Sequence, residues 1–287
     1  MAVHLRPATL EDAEPCGRIL SDAFTEVHVR HGFAPDFPTH ESAIRFMRGP
    51  LSNPKIYGVV AEVDGRIVGS NFLDERDAVR AVGPLSVHPL AQGRGVGRLL
   101  MRAVIERGRS APSIRLVQEA FNVISLTLYT SLGFDPVEQL LVIEGRPSRR
   151  PMRDVEVRRA ENSDLAACDA LCEEVHGFAR SEDLRDSIRA MSPYVGIRDG
   201  RVVAYCTTLT SWGPAHGVAA TENDMRALIL GVSAAEESAV QFLVPLREAR
   251  FFRWCLGEGL RAVKPMTLMA LGEYRAPQGY WFPSALY

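Results

Sequence analysis

The chain is almost without lysine: Lys55 and Lys264 are the only two among 33 lysines and arginines in 287 residues. Positive charge is therefore carried by arginine, whose planar fork suits bidentate contacts to phosphate or carboxylate. An excess of either sign is also lacking. The 33 basic residues face 35 acidic ones, a formal net charge of -2 at pH 7, which removes the electrostatic case for nucleic acid as a partner. No stretch approaches the ~18 consecutive apolar residues of a membrane span, and MAVHLRPATL has neither the charged flank nor the apolar core of a signal peptide. Cysteine is scarce, with five scattered residues: Cys16, Cys168, Cys172, Cys206 and Cys255. Cys168 and Cys172 can share a helix face, but read with no further ligand beside them they make no metal site, and no metal is expected. These absences lead us to expect a cytoplasmic protein with reduced, packed thiols and no membrane partner, either monomer or homodimer.

What is present is ordinary globular material. Hydrophobic residues make up 46% and charged residues 24% of a chain longer than the usual single domain, so two domains are expected. Residues 3–6 alternate as a first strand, and a helix follows from Thr9 to about His28. A loop with Pro35 and Pro38 leads to a short helix over 41–47. Strands at 56–62 and 67–73 are joined by Asp64-Gly65, a hairpin signal. An apolar strand ends at Val87, before Pro89, and a helix starts at Val96. A strand over 114–118, a helix over 123–132 and a strand over 137–144 complete the first half.

Residues 147–154 read as a linker, between a domain over 1–146 and another over 155–287. The second repeats the first. Val155 to Ala160 followed by Asp164 echoes Val3 to Ala8 followed by Asp12, and Asp199-Gly200-Arg201 echoes Asp64-Gly65-Arg66. The fold class expected is α/β, a mixed sheet flanked by helices, in two tandem copies. The second copy has no glycine loop, and by register Cys255 stands where the first has Tyr129.

Between Val87 and Val96 lies Gln92-Gly93-Arg94-Gly95, with Gly97 and Arg98 opening the helix. Strand, glycine turn and helix N-terminus form an anion-binding arrangement, because unpaired N–H groups and the helix dipole favour phosphate oxygens. The glycines do not fit G-x-G-x-x-G, since Arg98 or Leu100 stands at the last position. They are too close for a Walker loop, and no lysine follows. Q-x-x-G-x-G after a V-x-P strand end resembles motif A of the GNAT acyl-CoA N-acyltransferases. Farther on, Asn122, Ser125, Leu128-Tyr129 and Gly133-Phe134 resemble motif B of the same family.

That resemblance implies acetyl-CoA as co-substrate, with its pyrophosphate at Gln92, Gly93, Arg94, Gly95, Val96, Gly97 and Arg98. It implies that Leu85, Ser86 and Val87 meet the pantetheine amides and that Asn122 and Ser125 meet the arm. Tyr129 falls at the position of the general acid toward the leaving thiolate. Asn122 also reads as a helix N-cap, and Tyr129 also reads as a packed ring with a locally satisfied hydroxyl. An amine must lose a proton to attack, and Glu119, ending a strand just before motif B, is the candidate base. Asp74, Glu75 and Asp77 are alternatives, and so is a plain ion-paired role for Glu119.

The same resemblance implies an acceptor cleft lined by the loop between the first two helices, which here carries His28, His31, Phe33, Asp36, Phe37 and His40, whose aromatic and acidic groups suit a small amine. The aromatic chain end is expected to be docked, and the resemblance brings the Tyr287 carboxylate into question as a participant. The function expected is transfer of an acetyl group to the primary amine of a small molecule by direct attack in a ternary complex. Alternatives are a non-catalytic acyl-CoA-binding or sensing protein, and a scaffold with two degenerate halves.

Overall fold

The structure, a computed structural model, describes residues 2–286. Tyr287, and with it the carboxylate considered above, lies outside the described residues. By contacts the chain divides into two compact units that do not follow chain order. One holds the residues up to Ile114 together with Phe121–Gly133, and the other holds Arg115–Ala120 and everything from Phe134 on. No helix among the described residues is long and apolar enough to cross a membrane.

The first unit starts with β1 (His4–Pro7), α1 (Ala13–Arg30) and α2 (His40–Ser52), and continues into the hairpin β2 (Ile56–Val63) and β3 (Arg66–Asp74). Thr39 starts α2 by accepting a hydrogen bond from the Ser42 backbone N–H at 3.1 Å. The expected apolar strand is two short ones, β4 (Arg80–Val82) and β5 (Ser86–Val87), both paired antiparallel with β3. The break is at Gly83-Pro84: Gly83 has φ 135°, which a side chain resists, and Pro84 offers no N–H to a ladder. Next come α3 (Val96–Gly108), β6 (Ser113–Glu119) and α4 (Val123–Thr130). Cys16, Leu20, Ala43, Met47, Val60 and Phe72 form a core between α1, α2 and the sheet.

The second unit takes in β6 from Arg115 and continues with β7 (Asp135–Gly145), β8 (Glu156–Arg159), α5 (Leu165–His176) and α6 (Ser181–Ala190). Then follow β9 (Tyr194–Arg198), β10 (Arg201–Cys206), β11 (Gly217–Ala219) and α7 (Glu222–Glu236). The chain closes with β12 (Val240–Pro245), α8 (Ala249–Gly257), β13 (Arg261–Gly272) and β14 (Tyr280–Phe282). Strands run β6-β13-β7-β12 in one part and β14-β11-β10-β9-β8 in a second sheet. Strand β7 sits between two strands from much later in the chain, with Val142 opposite both Leu243 and Lys264. Leu140, Val142 and Ile143 are buried. The aromatic end is docked: β14 pairs with β11, and Trp281 and Phe282 are fully buried.

The internal repeat is exact in its local chemistry. Arg6 donates to Asp12 at 2.8 Å, and Arg158 donates to Asp164 at 2.8 Å. In both copies the same carboxylate also takes a backbone N–H, from Thr9 and from Glu161. The arginine hydrogen bond is the main reason that both carboxyls are held below their ordinary range. The two hairpin turns agree as well, with φ of 51° and 73° at Asp64-Gly65 and 49° and 74° at Asp199-Gly200.

The helix after the hairpin is where the copies part. α3 opens on a left-handed glycine, whereas α7 opens on Thr221, whose hydroxyl accepts from the Asp224 N–H at 3.3 Å. Glu222 and Asp224 occupy its first turn. A helix N-terminus capped by its own side chain and lined with carboxylates repels a phosphate.

Candidate functional site

The glycine turn in the first unit is built by local bonds. The Gln92 side-chain amide donates to the Val87 carbonyl at 3.1 Å, and the His88 ring accepts from the Leu90 N–H at 3.2 Å. Gly93 and Gly95 have φ of 73° and 84°, and Gly95 is the N-cap of α3. Nothing lies within 4 Å of where a Cβ would stand on either residue. Their glycine identity therefore answers to backbone conformation, and open space lies beside the start of α3. Open space beside a helix N-terminus is compatible with the phosphates of coenzyme A.

Gly97 fixes what lies beside this turn. A Cβ there would stand 3.5 Å from Leu128 Cδ2 and 3.7 Å from Val87 Cγ2, so α3, α4 and β5 meet at this point. Arg98 adds a second tie, donating to the Ser131 hydroxyl at 2.8 Å. Two motifs separated in sequence are thus brought side by side in one unit. Within α4, Asn122 accepts from the Ser125 N–H at 3.2 Å, so it does cap this helix. Tyr129 is buried, at 8% exposure. Leu85 approaches the Gly97 position at 3.9 Å, and Ser86 is buried with its hydroxyl 3.2 Å from that of Ser70. Val96 is buried as the first helical residue of α3.

The loop expected to line an acceptor cleft joins the same assembly. Phe33 stacks on Phe121 with ring centroids 4.3 Å apart, and His31 lies 5.2 Å from the same ring. Phe121 immediately precedes Asn122, so this loop meets the start of α4. His28 is buried and lies 3.6 Å from Asp36. His40 is held by Asp22 at 2.8 Å. Both line an open cleft of about 530 Å³ whose wall also includes Glu26 and Thr25.

Glu119 belongs to the second unit, where it is buried and lies 3.0 Å from Lys264 Nζ. The ammonium in turn lies 4.7 Å from the centroid of the Trp212 ring. Two of the alternative carboxylates are also paired: Asp74 with Arg76 at 2.9 Å, and Glu75 with Arg107 at 2.9 Å. Arg80 is held by the Asp77 carbonyl at 2.6 Å. Lys264 was not legible as a partner of Glu119, because the two are remote in sequence and meet only through strand pairing.

The fold and this turn define an α/β protein of two related copies, one of which opens its post-hairpin helix on a left-handed glycine. Residues 17–134 match the model of the acetyltransferase (GNAT) family. That segment belongs to the GNAT family, and the chain has the fold of tandem proteins made of two such domains. A putative acetyltransferase from Pyrococcus horikoshii superposes with a TM-score of 0.77 at 19% identity, over 99% of this chain and 94% of that one. A tandem GNAT protein from the clavulanic acid biosynthesis pathway superposes with a TM-score of 0.58 at 12% identity, over 94% and 98% of the two chains. In sequence, the chain is 34% identical over 136 residues to the mycothiol acetyltransferase of Jonesia denitrificans. That similarity spans 45% of this chain and 42% of the relative, less than half the length of either.

Proposed function

We propose that the chain transfers an acetyl group from acetyl-CoA to the primary amine of a small molecule, using one site in its first copy. The observation that supports this most is the meeting of three segments in one unit: the glycine turn and α4 through Gly97 and Leu128, and the loop after α1 through Phe33 and Phe121. Donor-binding, acid and acceptor-lining groups are the parts such a transfer requires. Acetyl-CoA supplies the acetyl group as a thioester.

The chain's residues do the rest. Gln92 shapes the turn, and Gly93 to Arg98 hold the phosphates with backbone N–H groups. The Leu85–Val87 segment orients the pantetheine arm, and its backbone faces the charge that develops on the carbonyl oxygen. Asn122 and Ser125 fix the start of α4 beside that arm. Tyr129 gives its phenolic proton to the departing sulfur; a phenol near pKa 10 can serve a thiol near 8.5 when the two are held together. Glu119, paired with Lys264, is kept as the candidate that takes the amine proton, directly or through water. Attack is direct, in a ternary complex.

The relatives named mycothiol acetyltransferase make a small thiol-bearing amine the first acceptor to try. The test is a screen of small amines for acetyl-CoA-dependent release of thiol, with mass analysis of the product. An acetylated amine formed at a rate that falls in Tyr129→Phe supports an enzyme. Binding of acetyl-CoA with no product from any amine, and with Tyr129→Phe silent, supports the sensing protein instead.

A further inference from the structure

The expectation of no metal rested on Cys168 and Cys172 standing without further ligands. The fold changes the neighbourhood of Cys172. His176 is four residues on in the same helix, α5, and so lies on the same face. His216 arrives from the segment that enters β11. Cys172, His176 and His216 are 0%, 3% and 1% exposed, and their three ligand atoms all lie within 4.8 Å of one another.

We propose that Cys172, His176 and His216 form a structural site for a soft divalent metal of the zinc class, inside the second unit. One thiolate and two imidazoles are a donor set of the zinc type, with bonds of about 2.3 Å to sulfur and about 2.0–2.1 Å to nitrogen. Such bonds put tetrahedral donors roughly 3.5 Å apart, so binding draws these side chains inward by about 1 Å. As the sulfur–metal bond forms, the thiol proton leaves to solvent. The Tyr205 hydroxyl lies 3.3 Å from His216 Nε2.

The surroundings hold the ligands in place, as metal sites require. The backbone of His216 is clamped at both ends to Thr207: its N–H donates to the Thr207 hydroxyl at 2.9 Å, and its carbonyl accepts from the Thr207 N–H at 2.8 Å. Trp281 meets the His176 ring edge-on at 5.3 Å. Arg180, Arg115 and Arg247 face His176 electrostatically, and two of the three are paired with carboxylates. Arg180 is paired with Asp183 at 2.8 Å and Arg247 with Glu138 at 2.7 Å, while Arg115 lies over the rings of Phe178 and Tyr274.

The experiment uses the full, untagged chain expressed with zinc, and a second preparation refolded with cobalt(II). About one zinc per chain is expected, with a thiolate-to-cobalt charge-transfer band in the cobalt form. Both should be lost in Cys172→Ser and kept in Cys168→Ser. Absence of metal from both preparations of the wild type overturns the proposal, as does a cobalt band unchanged in Cys172→Ser. Should Cys172→Ser not fold, X-ray absorption on the zinc-loaded wild type decides: one sulfur with two imidazoles supports the site, and any other sulfur count overturns it.

Discussion

Glu119 and Lys264 face each other at 3.0 Å inside the second unit, one at the end of β6 and the other on β13. Their side chains are 9% and 3% exposed, so neither charge has ready water to replace its partner. Removing one member of a buried ion pair typically costs about 3–5 kcal/mol. Lys264→Met is therefore expected to lower stability by about that amount in urea unfolding, and adding Glu119→Gln should recover much of it. The same Glu119→Gln variant tests the proposed base. An unchanged kcat and pH–rate profile would leave Glu119 with a structural role alone.

Tyr129 is expected to matter for rate and not for donor binding. General acid catalysis contributes about 10²–10⁴-fold, so Tyr129→Phe should lose rate within that range while keeping its acetyl-CoA affinity. Because Tyr129 is buried, the variant's melting temperature must be measured beside its rate. Equal turnover in the folded variant would remove Tyr129 from the chemistry.

The repeated Arg–Asp pairs predict a particular acid behaviour. Arg158 holds the Asp164 carboxyl below its ordinary value, as Arg6 does for Asp12. A depressed carboxyl contributes its stability in full above the unfolded pKa of about 3.9, and loses it as pH falls through the lower folded value. Arg158→Met should cost about 1–2 kcal/mol at pH 7, the arginine being partly exposed. Its stability should also fall less steeply than that of the wild type below about pH 4. Parallel curves for the two proteins in acid would contradict this.

The cysteines predict a clean thiol assay. Burial pushes the Cys16 thiol up to about 11 and those of Cys206 and Cys255 up to about 12, and raises that of Cys168 as well. All five are buried, and only thiolates react with aromatic disulfide reagents. The folded protein should show no fast-reacting thiol near pH 7.5, and the unfolded, metal-free chain all five. A rapid thiol in the native state would mean that one of these helices or strands opens readily.

Local features were legible in the sequence because their causes are local. Asp64-Gly65 and Asp199-Gly200 turn where they stand, and Arg6–Asp12 and Arg158–Asp164 are each six residues apart, so the repeat shows itself. The glycine turn, the Asn122 cap and the docked aromatic end follow from the same kind of reasoning. The placement of β7 between β12 and β13 does not, because an alternating apolar strand carries no record of which distant strand it pairs with. The break at Gly83-Pro84 was visible in the residues, though the apolar run around it suggested one strand. His176 stood in plain view four residues after Cys172, but it gained meaning only when β11 delivered His216.

The central claim is that the turn ending at Gly97 holds acetyl-CoA, and a thermal shift tests it most directly. Position 97 suits the purpose: its Cβ would make only ordinary contacts, the nearest at 3.5 Å, so Arg94→Glu/Gly97→Glu adds repulsive charge at the helix N-terminus without forcing the fold. At about 100-fold over Kd a ligand adds about 2.7 kcal/mol, which means a shift of roughly 5–10 °C in a protein of this size. The account predicts that shift in the wild type and its loss in the double variant. No shift at saturating acetyl-CoA, or one the variant keeps, would contradict it.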